Sequence, residues 1–220
     1  MDTMTPQGFG RRLAWLGVFL ISTQCAGGGG PLSPAAAQLR QDEAAFLARQ
    51  GQIWVEAQRQ LHRPHAVALS DDEKQQLVGF FSNEVLDQAR IRVVNRIENP
   101  DFYAAYEELD KRFPLDFASA VGLALVDTVL IRRSHAGPGT ESRKWVLFHE
   151  LVHLEQYRLV GPENYIERYI RALAEGGFDY RSNPFEAQAF ELQNRYRRRP
   201  EGPFVVEDEV SRRFAASVPN

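Results

Sequence analysis

The sequence WVLFHELVHLEQYR, residues 145–158, decides the fold, because its apolar residues leave almost no polar face on a helix spanning about 141–160. Such a helix is buried on all sides. His149 and His153 are four residues apart, so a helix projects both imidazoles from one face, where they can reach one metal ion at about 2.0–2.1 Å. Glu150 points about 100° around the helix from His149, close enough to address a water at the metal without becoming a ligand.

Burial of these three polar side chains costs free energy unless they are paired or coordinate a metal. The alternative to a metal site is a pair of hydrogen-bonded core histidines, which must find buried partners for His149, His153 and Glu150 together. The sequence therefore favours a catalytic-type metal site on this helix, with the HExxH pattern.

A catalytic zinc site needs three protein ligands and one open position, so a third ligand is expected downstream of His153. Cys25 is the only cysteine of the chain, which leaves histidines and carboxylates as ligands and excludes an intrachain disulfide. Glu186 is the best candidate, because Asn183 and Pro184 place it in the first turns of a helix. The alternative for Glu186 is a carboxylate that stabilises a helix N-terminus. The rival third ligands are Asp179, Glu175 and Glu191.

The rest of the chain alternates between helical and strand patterns. Helices are predicted at residues 44–61, 70–89, 163–174 and 184–196, the second with a capping box that begins at Ser70. A strand is predicted at residues 91–97, and a strand or hairpin at 121–131 with a turn at Asp127-Thr128. At 220 residues and 44% apolar composition, the chain fits one domain. The sequence predicts a mainly helical α+β fold, with a small sheet or hairpin before the HExxH helix.

The N-terminal segment has the pattern of a secretory signal peptide. Arg11-Arg12 precede an uncharged run at residues 13–21, which is too short to span a membrane, and small residues follow. Ala35-Ala36-Ala37 offers a cleavage site, whereas Cys25 lies where a bacterial lipoprotein carries its lipid. We therefore expect export to the bacterial periplasm, the cell envelope or the medium, with lipid attachment at Cys25 as one route to the membrane.

Three segments follow from these patterns. Residues 1–37 are expected to form the signal peptide and a Gly/Pro/Ala-rich linker, residues 38–200 the metal-binding domain, and residues 201–220 a loose C-terminal tail. The formal net charge of −3 gives no basic field that would attract nucleic acid, which is therefore excluded as a partner.

Two motifs carry a family resemblance. Residues 145–158, followed after a further helix by Asp179-Tyr180-x-x-Asn183-Pro184-x-Glu186-x-x-Ala189, resemble the bacterial zincin-like metallopeptidases of the gluzincin type. They are similar to the zincin-like domains associated with extracellular contractile injection systems, over about residues 80–196. The resemblance implies Zn²⁺ held by His149, His153 and Glu186, with Glu150 as general base. That pattern has an acidic residue shortly after the glutamate ligand to orient a histidine, and Glu191 is the candidate for this role here.

The ligand set predicts hydrolysis of an amide bond in a peptide or protein. Zinc lowers the pKa of water and polarises a carbonyl group, and Glu150 takes the proton. Tyr157, Tyr180 and His135 are candidates to stabilise the oxyanion or contact the substrate, and the sequence does not rank them. One alternative is a non-hydrolytic zincin-like binding or assembly module with a structural metal. Another is an envelope lipoprotein anchored at Cys25, in which the zinc site is secondary.

Overall fold

The computed structural model describes residues 34–104, 115–198, 202 and 204–215. The helices are α1 (Pro34–His62), α2 (Asp71–Leu77), α3 (Asn83–Gln88), α4 (Glu141–Val160), α5 (Pro162–Glu175), α6 (Pro184–Arg198) and α7 (Val206–Ala215). The strands are β1 (Val67–Ala68), β2 (Arg90–Val94), β3 (Gly122–Leu125) and β4 (Thr128–Arg132). This is a mainly helical α+β fold with a small sheet, so the predicted fold class is confirmed.

The four strands form one mixed sheet in the order β1-β2-β4-β3. Strands β2 and β4 are parallel, with Ile91 opposite Val129, whereas β3 and β4 form an antiparallel hairpin. The predicted hairpin is confirmed, but its turn lies at Val126 and Asp127, one residue earlier than expected, and Val126 has a φ of 62°. The arrangement leaves β3 at one edge of the sheet, beside α4.

Helix α4 lies at the centre of the fold and packs against α5, α6, α7 and the β3–β4 hairpin. It begins after the N-cap Thr140, whose hydroxyl accepts from the backbone N–H of Arg143, and ends at Gly161 with a φ of 85°. Phe148 is fully buried and stacks on Tyr196, with ring centroids 4.2 Å apart. The helix predicted at residues 141–160 is confirmed, and it is buried from Leu147 to Tyr157, whereas its first turn and its last residues are exposed or half-buried.

Two predicted helices have different bounds in the structure. Helix α1 begins at Pro34, inside the segment expected to be a linker, because a proline suits the first turn of a helix and the alanines after it are strong helix formers. The helix predicted at residues 70–89 has the expected capping box at Ser70, but Gly79, with a φ of 86°, separates α2 from α3. Ser82 then caps α3.

The C-terminal segment differs from the loose tail expected at residues 201–220, because residues 206–215 form α7. Val206 and Val210 are fully buried, and the backbone N–H of Val206 donates to the carbonyl of Phe80 at 2.8 Å. Acidic residues fill the first turn of α7, which favours a helix N-terminus. Apolar residues four positions apart therefore dock this segment on the core.

Within the described ranges, none of the helices is long and apolar enough to cross a membrane. The arginine pair at residues 11–12, the uncharged run at 13–21 and Cys25 lie outside the described residues.

Candidate metal centre

Three buried side chains meet at one point between α4 and α6. His149 Nε2 lies 3.2 Å from His153 Nε2, and Glu186 Oε2 lies 3.3 Å from the first nitrogen and 3.5 Å from the second. Each of the three residues is about 5% exposed. Three ligands of a tetrahedral zinc ion, at about 2.0–2.1 Å from it, are about 3.3–3.4 Å apart. The three atoms therefore form a triangle of the size that a metal ion requires, and these residues could hold one.

The Asn-Pro-x-Glu segment positions the third member of this triangle. The side chain of Asn183 accepts from the backbone N–H of Phe185 at 3.1 Å and donates to the carbonyl of Tyr169 at 3.1 Å. It therefore caps the N-terminus of α6 and ties it to α5. Pro184 begins the helix, and Glu186, one turn in, faces α4, because the fully buried Ala189 lets the two helices approach.

The outer nitrogen of His153 is held by a chain of amides that begins at a backbone carbonyl. Gln156 Nε2 donates to the carbonyl of Phe185 at 3.1 Å, which turns Gln156 Oε1 towards His153 Nδ1 at 2.8 Å. Gln156 Nε2 also donates to Gln188 Oε1, and Gln188 in turn donates to the carbonyl of Glu209 in α7. Since Oε1 can only accept, His153 Nδ1 carries a proton, and Nε2 is the nitrogen that would bind a metal once it has lost its own proton.

His149 is oriented in the same way, because its Nδ1 lies 3.1 Å from Gln193 Oε1 on α6. The side chain of Phe190 covers its ring, with centroids 4.5 Å apart. Both histidines thus donate Nδ1–H to neutral amides, whereas the resemblance implied an acidic partner. Glu191 is 71% exposed along its side chain and pairs with Arg213 at 3.4 Å, so it lies on the solvent face of α6.

Two tyrosines hold the Glu186 carboxylate. Tyr169 donates to Oε1 at 2.8 Å, and Tyr180 donates to Oε2, the oxygen that faces the histidines. Burial raises the pKa of Glu186, but the charges and hydrogen bonds of His153 and His149 outweigh burial and hold this pKa well below its usual range. Burial lowers the pKa of His153, but the carboxylate of Glu186 outweighs burial and raises it to about 9. The carboxylate is thus ionised and positioned as a ligand.

Glu150 lies beside the triangle without joining it. Burial raises the pKa of its carboxyl group, and the charges of His149 and His153 offset this only in part. The backbone N–H of Ala124 on β3 donates to the Glu150 carboxylate. A Cβ atom at Gly122 would lie 2.4 Å from Glu150 Oε1, so only glycine lets β3 approach α4 this closely. The edge strand therefore fixes the position of the Glu150 side chain.

A cavity of about 700 Å³ opens at this centre, within the range of small-molecule sites. His149, Glu150, His153 and Glu186 all line it. The other walls come from α1, β3, α5 and the loops at residues 100–103, 115–120 and 177–180. Each of the four polar side chains therefore faces a space that a ligand can enter.

The candidates for oxyanion or substrate contact lie in different places. Tyr157 lines the cavity but is 4% exposed and packs on Tyr165, with ring centroids 3.8 Å apart. Tyr180 lines the cavity next to the ligand oxygen of Glu186. His135 is half-buried in a 3-10 turn, where Ser134 contacts its Nδ1 at 2.9 Å, and it is outside the set of described residues that line the cavity.

The rival third ligands are exposed. Asp179 accepts from the backbone N–H of Arg181 at 3.1 Å and so caps the turn that carries Tyr180. Glu175 ends α5 on the surface, and Glu191 is solvent-facing. Among the described residues, the triangle that could hold a metal consists of His149, His153 and Glu186.

Four residues at the centre were not identified from the sequence: Gly122, Gln156, Tyr169 and Gln193. Gln156 follows His153 by three positions, and residues at this spacing are neighbours on a helix, so the sequence could have indicated this contact. Gly122 and Tyr169 contact the site only through tertiary packing, which no local pattern reveals. Gln193 lies seven residues after Glu186, two turns along the same face, which is a weaker signal.

Comparisons of the chain with models of known protein families, with curated proteins and with solved structures give no match.

Proposed function

We propose that this chain is a zinc-dependent, metallopeptidase-like hydrolase that cleaves an amide bond in a peptide or protein. The observation that carries the proposal is the buried triangle of His149, His153 and Glu186, which opens onto a cavity with Glu150 at its side. We further propose that it acts in the bacterial cell envelope or outside the cell, which rests on the signal-like pattern at residues 1–37.

Zinc fits the donor set better than the other common metals. Two imidazoles and one carboxylate, with no thiolate, suit a borderline ion that accepts four-coordinate geometry. Magnesium and calcium prefer six or more oxygen ligands. The sides of the triangle, 3.2, 3.3 and 3.5 Å, support tetrahedral coordination with one position left open.

The open position favours catalysis over the alternative of a structural metal in a binding or assembly module. Structural zinc sites are closed by four protein ligands, whereas three potential ligands are grouped here among the described residues. The three potential ligands and Glu150 line one cavity, so water or a substrate could reach a metal held there. Glu150 is buried next to the potential ligands but is not one of them, and this position suits a general base.

The chemistry follows from these side chains. Zinc bound at the triangle supplies Lewis acidity, which polarises a carbonyl group and lowers the pKa of water. Glu150 accepts the proton of the attacking water and passes it to the leaving nitrogen; burial raises the pKa of this carboxyl group, which favours its acting as a base. Of the three candidates, Tyr180 lines the cavity beside Glu186, and it would donate to the oxyanion by turning its hydroxyl hydrogen away from Glu186 Oε2.

A peptide substrate is supported by the position of β3. This strand is at the edge of the sheet and its residues Gly122, Leu123 and Ala124 line the cavity. An extended peptide can add to such an edge through main-chain hydrogen bonds, which would lay its carbonyl groups across the metal centre.

The test uses the purified full chain loaded with zinc and a mixture of peptides from a digested proteome, with cleavage sites read by mass spectrometry. The wild type is expected to cleave, and Glu150→Gln is expected to bind one equivalent of zinc but lose more than about 100-fold of the activity. Glu141→Gln, the same change at the exposed start of α4, is the matched control.

Cleavage that persists in Glu150→Gln would remove the proposed base. Absence of cleavage, together with a melting temperature that zinc raises in the wild type but not in His149→Ala, would instead support the structural-metal alternative.

A further inference from the structure

The cavity beside the metal centre extends well beyond it and becomes apolar. Large, partly buried apolar side chains line it, among them Trp54, Phe117, Leu123 and Phe178. Its deeper wall adds Leu47 and Val55 from α1, and Ile166 and Ile170 from α5. Aromatic side chains that are partly exposed inside a cavity, beside a closely packed core, offer an apolar surface that a ligand can contact.

An aromatic wall marks one side of this region. Trp54 on α1 stacks on Phe117, with ring centroids 4.9 Å apart and an angle of 27° between the rings. Tyr103 lies next to Phe117, with centroids 6.4 Å apart. The three rings hold each other in place, so a ligand meets a flat apolar surface that is already ordered.

The apolar walls of this region favour an uncharged occupant. No Lys or Arg is among the described residues that line it. Asp116 accepts from Asn99 Nδ2 at 3.0 Å and from the backbone N–H of Ala118 at 3.1 Å, and Asp179 caps its own turn. Both aspartates are exposed, whereas the apolar walls offer no polar partner, so a charged side chain packed against those walls would lose its hydration without compensation.

We propose that this apolar region is the specificity pocket of the site, and that it takes a large aromatic or aliphatic side chain lying within two residues of the scissile amide. The proposal rests on the proposed hydrolase function, because the same cavity holds both the triangle and the apolar walls. Its volume of about 700 Å³ leaves room for peptide backbone at the metal and for such a side chain. Trp54, Phe117 and Leu123 are the residues that determine specificity.

The first experiment is cleavage-site profiling with the zinc-loaded full chain on a proteome-derived peptide mixture, followed by kcat/KM on peptides that differ only at the preferred position. We expect large apolar residues to exceed Asp, Lys and Gly by about 10-fold or more. Trp54→Ala is expected to remove most of this preference. Ile53→Ala, an adjacent and 65% exposed residue on the same helix, is the matched control and should leave the preference unchanged.

A second experiment measures binding without turnover. Isothermal titration of Glu150→Gln with blocked peptides carrying Leu or Asp at the tested position should show about 10-fold tighter binding of the Leu peptide, with a negative heat-capacity change from apolar burial. Leu123→Asn, which places an amide on the cavity wall, should abolish this difference in affinity. It replaces Trp54→Ala as the test variant if circular dichroism shows that Trp54→Ala does not fold.

The outcomes separate the two proposals. Cleavage without an apolar preference, or with a preference that Trp54→Ala and Leu123→Asn leave intact, overturns the specificity pocket while the hydrolase function stands. If no peptide is cleaved, the hydrolase function fails and the titration decides: equal binding of the Leu and Asp peptides overturns the pocket, and a preference lost in Leu123→Asn supports it.

Discussion

Replacing Gln156 by Met tests whether the amide chain positions the metal ligand His153. Gln156 is fully buried, its Oε1 lies 2.8 Å from His153 Nδ1, and its Nε2 makes two further hydrogen bonds. Methionine keeps the length and volume of the side chain but accepts only weakly. Tyr165, whose hydroxyl is 3.2 Å from Nδ1, is then the remaining oxygen contact, and no water can enter this buried position easily.

The expected loss of zinc affinity follows from these contacts. Removing a hydrogen-bond partner of a metal-bound histidine costs about 10- to 100-fold in affinity, or about 1.4 to 2.7 kcal/mol. Gln193, the partner of His149, is only half-buried, so water can replace it, and Gln193→Met should cost less, about 3- to 10-fold. The order of the two losses is thus set by burial.

Competition with a chromophoric zinc chelator measures both dissociation constants without any substrate. Gln60→Met, on the exposed face of α1, is the matched control and should bind zinc like the wild type. Gln156→Met also loses stability without metal, by about 1–3 kcal/mol, so the titration is done well below its melting temperature. A folded Gln156→Met protein that binds zinc within about 2-fold of the wild type would refute the positioning role of Gln156.

Three other changes have definite expected outcomes. Glu186→Gln removes the charged ligand and should weaken zinc binding by more than about 100-fold, measured by the same competition. Gly122→Ala places a Cβ atom 2.4 Å from Glu150 Oε1, so the carboxylate must move by about 1 Å; kcat should fall about 100-fold while zinc affinity is unchanged. Burial raises the pKa of Asp127, but hydrogen bonds from Arg59 and a neighbouring threonine outweigh burial and lower it, so Asp127 stabilises the fold above about pH 4. Asp127→Asn should therefore lower the free energy of unfolding by about 1–3 kcal/mol at pH 7, and the difference should shrink as the pH falls below about 4 in thermal unfolding.

Each of these three has a control. Asp179→Asn alters a rival ligand and should leave zinc binding unchanged, whereas a loss equal to that of Glu186→Gln would reassign the third ligand. Gly137→Ala adds a Cβ atom 3.0 Å from Thr140 Cγ2, in a loop outside the cavity, and should leave kcat near that of the wild type. A stability difference for Asp127→Asn that is as large at about pH 2.5 as at pH 7 would show that the ion pair is not its source.

The sequence predicted the metal-binding side chains because their geometry is local. His149 and His153 are four residues apart on an apolar helix, so they lie on the same face of it. Asn183 and Pro184 mark the start of α6, two residues before Glu186. The distance between α4 and α6 is not local, yet the small Ala189 indicated that the helices could approach. Helix class, hairpin and third-ligand candidate could all be inferred from such patterns.

The remaining features depend on packing between distant segments. The contact between Gly122 and Glu150 joins a strand to a helix 28 residues later, and nothing in either segment alone indicates it. Which polar side chain reaches the Nδ1 atoms depends on helix rotation, so the expectation of an acidic partner led to Glu191, while the structure has Gln193 and Gln156. Helix α7 was not predicted, because its apolar residues are few and follow a Gly-Pro pair.

The most direct test of the central claim is anomalous X-ray diffraction at the zinc edge from crystals of the zinc-loaded full chain. The account predicts one strong anomalous peak within about 2.0–2.2 Å of His149 Nε2, His153 Nε2 and Glu186 Oε2, with Glu150 outside ligand distance. The account would be contradicted by a peak at ligand distance from Asp179, Glu175 or Glu191 instead of Glu186, or by the absence of a peak between α4 and α6.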